Sequence, residues 1–254
     1  NGSTDESLSV LKQKFPDVRT LCFDKNYGYA EGYNRAIREL GYRYSVLLNS
    51  DVAATPEWIR PLYEYMEEHP EVAACQPKIL SDADHTKFEY AGASGGFIDK
   101  HGYPFCRGRI FDTVETDNGQ YNDITDIFWA TGAALTVRTE EYLAAGGLDK
   151  DFFAHMEEID LCWRLHQRGL AIRVIPQSVV FHLGGGSLPA SNPKKTYLNF
   201  RNNLFLLYKN LPPREGRRML LIRRLYDTLA FFVFMAKMDF ANARAILRAH
   251  NDYR

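Results

Sequence analysis

Cysteine is scarce in this chain and never paired. Cys22, Cys75, Cys106 and Cys162 are scattered along 254 residues, with no metal-type spacing and no disulfide framework. They read as buried thiols of a reducing compartment. Long apolar runs are missing too. The longest, Leu229 to Ala236, is far short of the roughly 20 residues needed to span a bilayer. No secretory signal pattern opens the chain. The net charge is only −1, which removes the usual electrostatic ground for binding nucleic acid. Internal repeats, low-complexity tracts and a P-loop pattern are all absent. What remains is an ordinary globular composition, 45% hydrophobic and 25% charged, long enough for one large domain or one domain plus an appendage.

Charge is unevenly placed within that neutral total. From Arg214 onward nine basic residues face four acidic ones, so the tail is +5 and the remainder −6. Leu220 to Ile222 and Leu229 to Ala236 lie among these arginines. Two readings follow for residues 214–254, a basic and amphipathic helical tail. One is a helical subdomain packed on the rest of the chain or on a second copy as a homodimer. The other is a helix pair lying on an anionic cytoplasmic membrane face.

The body of the chain alternates helices and strands. Helices are expected over Glu6 to Phe15, Ala30 to Leu40 and Thr55 to Glu68, and strands over Arg19 to Phe23, Tyr44 to Leu48 and Val72 to Cys75. This rhythm predicts an α/β fold, a mainly parallel central sheet flanked by helices, with a C-terminal helical appendage. Ser81 to Asp126 has no clear period and reads as irregular excursions, a flap over a site. Ile127 to Val137 then reads as a strand, and Thr139 starts a short helix that stops at Gly146-Gly147. Ala171 to Ile175 and Ser178 to Phe181 read as two short strands, and Lys194 to Asn210 as a basic helix.

Phe152 to Arg164 is the stretch with most chemical content. Met156, Ile159 and Trp163 recur at helical spacing, so a helix is expected from Glu157 to Arg168. Asp160 precedes Arg164 by four residues, the favourable order for a pair, and that alone accounts for Asp160. Glu157 and Glu158 have no such explanation. Adjacent helical positions point about a hundred degrees apart, so one carboxylate can anchor while its neighbour faces a cleft. Asn49-Ser50-Asp51 follows a strand, where ligands of α/β sheets gather, although an Asp there also simply caps a turn. His182 ends a strand before Gly184-Gly185-Gly186-Ser187, a weak phosphate-loop signal. Trp129 beside small residues is either core or a substrate platform. Asn26-Tyr27-Gly28 reads as a turn.

Taken in order, these pieces resemble family 2 glycosyltransferases of the GT-A fold, in a bacterial rhamnosyltransferase-like branch. The matching segments are Asn1 to Asp5, Asn26-Tyr27-Gly28 with Gly32 and Asn34, Leu48 to Asp51, Trp129 to Ala133, Gly147 to Asp149, Glu157 to Arg164, His182 with Gly184 and Ser187, and Arg201-Asn202. They run from Asn1 to about Pro213, the extent expected for the catalytic domain. The resemblance also implies that a strand, helix and strand precede Asn1, with the aspartate that contacts the nucleotide base.

The resemblance implies the following roles. Asp51, in the place of the family's Asp-x-Asp motif, and His182 meet a divalent cation, Mg²⁺ or Mn²⁺. Asn26, Gly28, Asn34 and Asn49 join Asp51 on the donor side. Glu158 stands where the family places its general base, with Glu for the usual Asp. Trp129, Gly132 and Glu157 lie on the acceptor side. The implied activity is inverting transfer of a sugar from a UDP- or dTDP-linked donor to a glycan or lipid-linked acceptor, in bacterial surface polysaccharide synthesis. Its implied place is the cytoplasm or the cytoplasmic face of the inner membrane. A nucleotidyltransferase on the same sheet and a catalytically silent carbohydrate-binding or membrane scaffold are the alternatives.

Overall fold

A computed structural model of the chain describes residues 1–90, 92–110, 113–184 and 192–253. Its elements in order are α1 (Ser7–Lys14), α2 (Tyr29–Leu40), β1 (Tyr44–Leu48), β2 (Val52–Ala54), α3 (Ile59–Glu68) and β3 (Val72–Ser81). The short strands β4 (Gly96–Ile98), β5 (Pro104–Cys106), β6 (Arg109–Ile110), β7 (Thr113–Val114) and β8 (Thr125–Asp126) follow. Next come β9 (Ala134–Arg138), α4 (Thr139–Ala144), a 3₁₀ turn over Lys150–Phe152, α5 (Glu157–Gln167) and β10 (Ala171–His182). Three helices close the chain: α6 (Pro193–Asn210), α7 (Pro213–Ala236) and α8 (Phe240–Asp252).

The main sheet has the order β1-β9-β3-β10-β2, with β8 also paired to β10. It is mixed where a mainly parallel sheet was expected. Among the described residues only β3 and β10 pair in parallel; β9 lies antiparallel between β1 and β3. The physical reason is the connection. A parallel neighbour usually needs a helical crossover, and β9 is reached instead through the excursion after Ser81, whose described residues form no helix. Because β9 opposes both neighbours, β1, β3 and β10 still run in one direction. Their carboxyl ends therefore meet on the same side of the sheet, as the α/β rhythm required.

Helices cover both faces. Leu62 and Met66 of α3 pack with Val72, Cys75 and Ile175. Ile37 of α2, Tyr142 of α4 and Ile159, Leu161 and Leu165 of α5 join the larger cluster with Leu47, Leu135, Val137 and Ile172. β3, shielded on both faces, is buried from Val72 to Leu80. Ala171 to Phe181 forms one strand in place of the two expected. Its register against β3 jumps between Ile175 and Val179, where Pro176 and Pro77 each lack a ladder N–H. Three other expectations change. Residues 19–23 join no sheet, because no strand lies beside them. Residues 127–133 are irregular, held by Trp129 and Phe128 N–H bonds to Gly96, and the strand proper starts at Ala134. The excursion builds a four-stranded antiparallel sheet, β4-β5-β6-β7.

The four cysteines are free; all but Cys22 are buried, and burial pushes the Cys162 thiol up to about 12. Helix α8 lies along α6, joined by Thr196–Asn242 (2.6 Å) and Tyr197–Asp252 (2.7 Å) hydrogen bonds.

Candidate active site

The carboxyl ends of β1, β3 and β10 open into a cavity of about 620 Å³. Asn49 and Asp51 follow β1, Ser81 and His182 end β3 and β10, and Glu157 and Glu158 begin α5; all line this cavity, as do Gly132 and Tyr29.

Strand pairing sets the first group. β2 pairs antiparallel with β10 so that Val52 faces His182, which brings the preceding Asp51 against the imidazole. His182 Nε2 lies 3.1 Å from Asp51 Oδ1, and Nδ1 lies 3.4 Å from Glu89 Oε1. Burial alone would lower the His182 pKa, but the Glu89 and Asp51 carboxylates outweigh it and hold the group above its usual value. Among the described residues no three His, Cys, Asp or Glu side chains converge as a complete metal cage. Asp51 and His182 supply one oxygen and one nitrogen donor at a cavity wall. That set fits a divalent cation whose other positions are filled by a diphosphate.

The second group rests on a strained turn. Phe153, His155 and Met156 all have positive φ, at 66°, 70° and 73°, immediately before α5. Such backbone costs free energy and persists only where surroundings over-determine it. Here the surroundings are α6. Asn202, fully buried, places Nδ2 within 2.7–2.9 Å of the Phe152, Ala154 and His155 carbonyls, two hydrogens shared among three acceptors. Arg201 donates to the Asp151 and Phe152 carbonyls at 3.0 Å. Asp160 anchors the helix behind this turn. Buried completely, it accepts from Arg164 (2.7 Å), Lys209 (2.9 Å) and Asn210 (2.8 Å). The i, i+4 pair expected of Asp160 is therefore present, inside a larger network.

Both glutamates reach the cavity, so neither serves as the anchor that adjacent helical positions would allow. They occupy the helix's first turn, which meets the cavity end-on, so adjacent side chains share one wall. Burial raises the Glu157 carboxyl to about 8, helped by the neighbouring Glu158 charge; burial likewise raises Glu158 to about 7. The two carboxyls therefore take up their protons close to neutral pH, well above an ordinary glutamate. The buried atoms Glu157 Oε2, Glu158 Oε2 and His155 Nε2 have no hydrogen-bond partner among the described residues. All three belong to cavity-lining side chains. Unsatisfied buried polar atoms are rare in native proteins, and their concentration here marks a place built for a polar ligand.

Other sequence candidates lie elsewhere. Trp129 is buried, its indole N–H donating to the Phe97 carbonyl at 2.8 Å, and it does not line the cavity; the role expected of a platform is filled by packing on Gly96. Asn34 is likewise buried. It donates to the Leu148 carbonyl (2.8 Å) and accepts from the Leu148 N–H (3.0 Å) and the Tyr142 hydroxyl (2.6 Å), so it tethers α2 to the loop after α4 and does not line the cavity. Asn26 and Gly28 shape the entry to α2. Asn26 Oδ1 accepts from Gly28 N–H (2.8 Å) and Asn1 Nδ2 (3.1 Å), and Gly28 takes φ 80°. Neither lines the cavity. Gly185, Gly186 and Ser187 lie outside the described residues. Tyr29, Glu89, His155 and Lys195 line the cavity without having been singled out. Only His155 carried a signal, its position within the acidic stretch.

Residues 1–127 match the model of glycosyl transferase family 2. The chain belongs to that family. Among curated proteins it is 27% identical over 197 residues to the N-acetylglucosaminyl-diphospho-decaprenol L-rhamnosyltransferase of Mycobacterium tuberculosis, covering 72% of this chain and 64% of the relative. It is 24% identical over 221 residues to the dTDP-rhamnosyl transferase RfbF of Shigella flexneri, covering 80% and 69%. The chain thus spans a little under two thirds of the mycobacterial relative's length. Among solved structures, the mannosyltransferase PcManGT from Pyrobaculum calidifontis, in complex with GDP-Man and Mn²⁺, superposes with a TM-score of 0.55 at 12% identity, over 99% of this chain and 75% of that one. This likeness shows the GT-A fold.

The Asn202 clamp yields a prediction. Asn202→Ala leaves the Ala154 and His155 carbonyls of the strained turn without their donor, while Phe152 keeps Arg201, and should lower the unfolding free energy by about 1–3 kcal/mol. Hydrogen exchange at the amides of residues 153–158 should quicken more than at β3. Uniform exchange across both regions would refute the clamp.

Proposed function

We propose that this family 2 member is an inverting glycosyltransferase, moving a sugar from a UDP- or dTDP-linked donor to a hydroxyl of a glycan or lipid-linked acceptor in bacterial surface polysaccharide synthesis. One observation carries the reading. A single cavity gathers a raised carboxyl pair, each with one buried oxygen left unpartnered, and an aspartate–histidine pair that fits a cation. The names of the mycobacterial and Shigella relatives support rhamnose as the class of sugar and dTDP as the nucleotide.

The roles follow from the chemistry. Glu158 accepts the proton of the acceptor hydroxyl as its oxygen bonds to the anomeric carbon. The bond from that carbon to the diphosphate oxygen breaks, and the nucleoside diphosphate leaves. A base raised towards neutrality is matched to this task, since it is ionised at working pH yet basic enough to take the proton. Glu157, the more strongly raised of the two, would keep its proton and donate a hydrogen bond to the acceptor. Asp51 and His182 would hold Mg²⁺ or Mn²⁺, which when bound offsets charge on the departing diphosphate. A single displacement by one base inverts the anomeric centre.

The test is product analysis with a dTDP- or UDP-sugar, Mn²⁺ and an N-acetylglucosaminyl-diphospho-polyprenol acceptor. The expected products are nucleoside diphosphate and a glycoside of inverted configuration. Pyrophosphate release would indicate nucleotidyl transfer, and a retained configuration would exclude the single displacement.

A further inference from the structure

Helix α7 runs for 24 residues, yet only Gly216, Arg223 and Asp227 are buried along it. Those residues fix its rotation. Arg223 lies 3.6 Å over the Tyr103 ring and 3.1 Å from Asp227, and Asp227 also sits 2.9 Å from His250 of α8. At about a hundred degrees per residue, turning Arg223 and Asp227 inward turns Leu221, Leu225, Leu229 and Phe232 outward as one stripe. They are 68%, 62%, 55% and 61% exposed. Exposed Arg214 and Arg218 lie on this outer face along its amino-terminal half, and exposed Arg217 and Arg224 flank it. No carboxylate among the described residues pairs with these four arginines. Of the helix's own acids, Asp227 points inward and the exposed Glu215 flanks the stripe on the side away from Arg217 and Arg224.

We infer that the outer face of α7 docks on a bilayer surface rich in anionic headgroups, with its apolar stripe lying in the interface. Charge complementarity selects this occupant. A second copy would present the same face, with four arginines to one glutamate, and an isologous contact would leave most of the arginines of both without partners. Anionic headgroups supply those partners, and the acyl boundary takes up the leucines and Phe232. The helix lies on the surface and does not cross it, since among the described residues no helix is long and apolar enough to span a membrane. This inference is independent of the transfer chemistry, because docking is read without donor, acceptor or turnover.

The experiment is flotation of the purified chain with vesicles of phosphatidylcholine alone or mixed with phosphatidylglycerol, at low and high salt. The expected result is at least about a tenfold preference for the anionic vesicles, weakened by salt. Leu225→Asp combined with Phe232→Asp should abolish flotation with an unchanged Tm, since both positions are exposed. Arg217→Glu combined with Arg218→Glu and Arg224→Glu should remove the preference for phosphatidylglycerol, and it serves as the second probe if the first variant folds poorly. Absence of flotation, equal flotation on both lipids, or flotation untouched by either variant would overturn the inference. So would a concentration-dependent dimer in ultracentrifugation that Leu225→Asp with Phe232→Asp dissolves, which would give the face to a second copy.

Discussion

Glu158→Gln should reduce transfer by about 10²–10⁴-fold, the usual contribution of a positioned general base, while the protein stays folded. The amide keeps the shape of the carboxyl and cannot accept the proton. Folding should survive because Glu158 Oε2 has no hydrogen-bond partner to lose among the described residues. The substitution also removes the negative charge that helps to raise Glu157. Turnover and Tm measured together check the point. Turnover within tenfold of the parent would remove Glu158 from the role, and Glu157→Gln would then be the decisive variant.

The same pair gives the pH dependence a definite sign. Both carboxyls are raised above their ordinary value near 4.5, to about 7 and about 8. Between those limits the folded chain binds protons that the unfolded chain has released, so unfolding free energy falls as pH rises through this window. Transfer runs the other way, because the base ionises over the same range. Stability and activity should therefore trade against each other from mildly acidic to neutral pH, and Glu158→Gln should flatten the stability side of that trade.

Elements with a clear period were readable from the chain alone. Tyr44–Leu48 and α5 emerge nearly as expected, because an apolar strand run and a helix with an acidic first turn are local signals. The direction of β9 was not readable, since it depends on an excursion without periodicity. Site residues divide in the same way. Asp51, Glu158 and His182 sit at element ends that the pattern marks, and the structure places them around one cavity. Asn34 and Trp129 sit on elements read correctly, but residue type cannot tell a polar tether or a packed indole from a ligand contact. Glu89 reaches His182 from the irregular segment, and the clamp from Asn202 spans fifty positions. Both are tertiary facts, invisible to spacing.

Asp51→Ala should abolish metal-dependent binding of the donor and leave the apo protein close to its parent in stability. The register of β2 against β10 makes Asp51 the carboxylate beside His182, so its loss removes the only oxygen donor of that pair. A ligand at a hundred times its Kd stabilises the native state by about 2.7 kcal/mol. For a chain of this size that corresponds to a Tm rise of roughly 5–10 °C. The parent should show such a rise with one nucleoside diphosphate sugar and Mn²⁺ together, and much less with either alone. In Asp51→Ala it should vanish; in His182→Ala, where the carboxylate remains, a part should persist. The apo Tm should move little, because Asp51 is partly exposed and Glu89 still faces the imidazole when it is removed. An equal rise without Mn²⁺, or an undiminished rise in Asp51→Ala, would mean that the donor is held elsewhere. Loss in Asp51→Ala but not in Glu158→Gln would separate donor binding from proton transfer, as expected of a cation ligand and a base that share a cavity but act on different atoms.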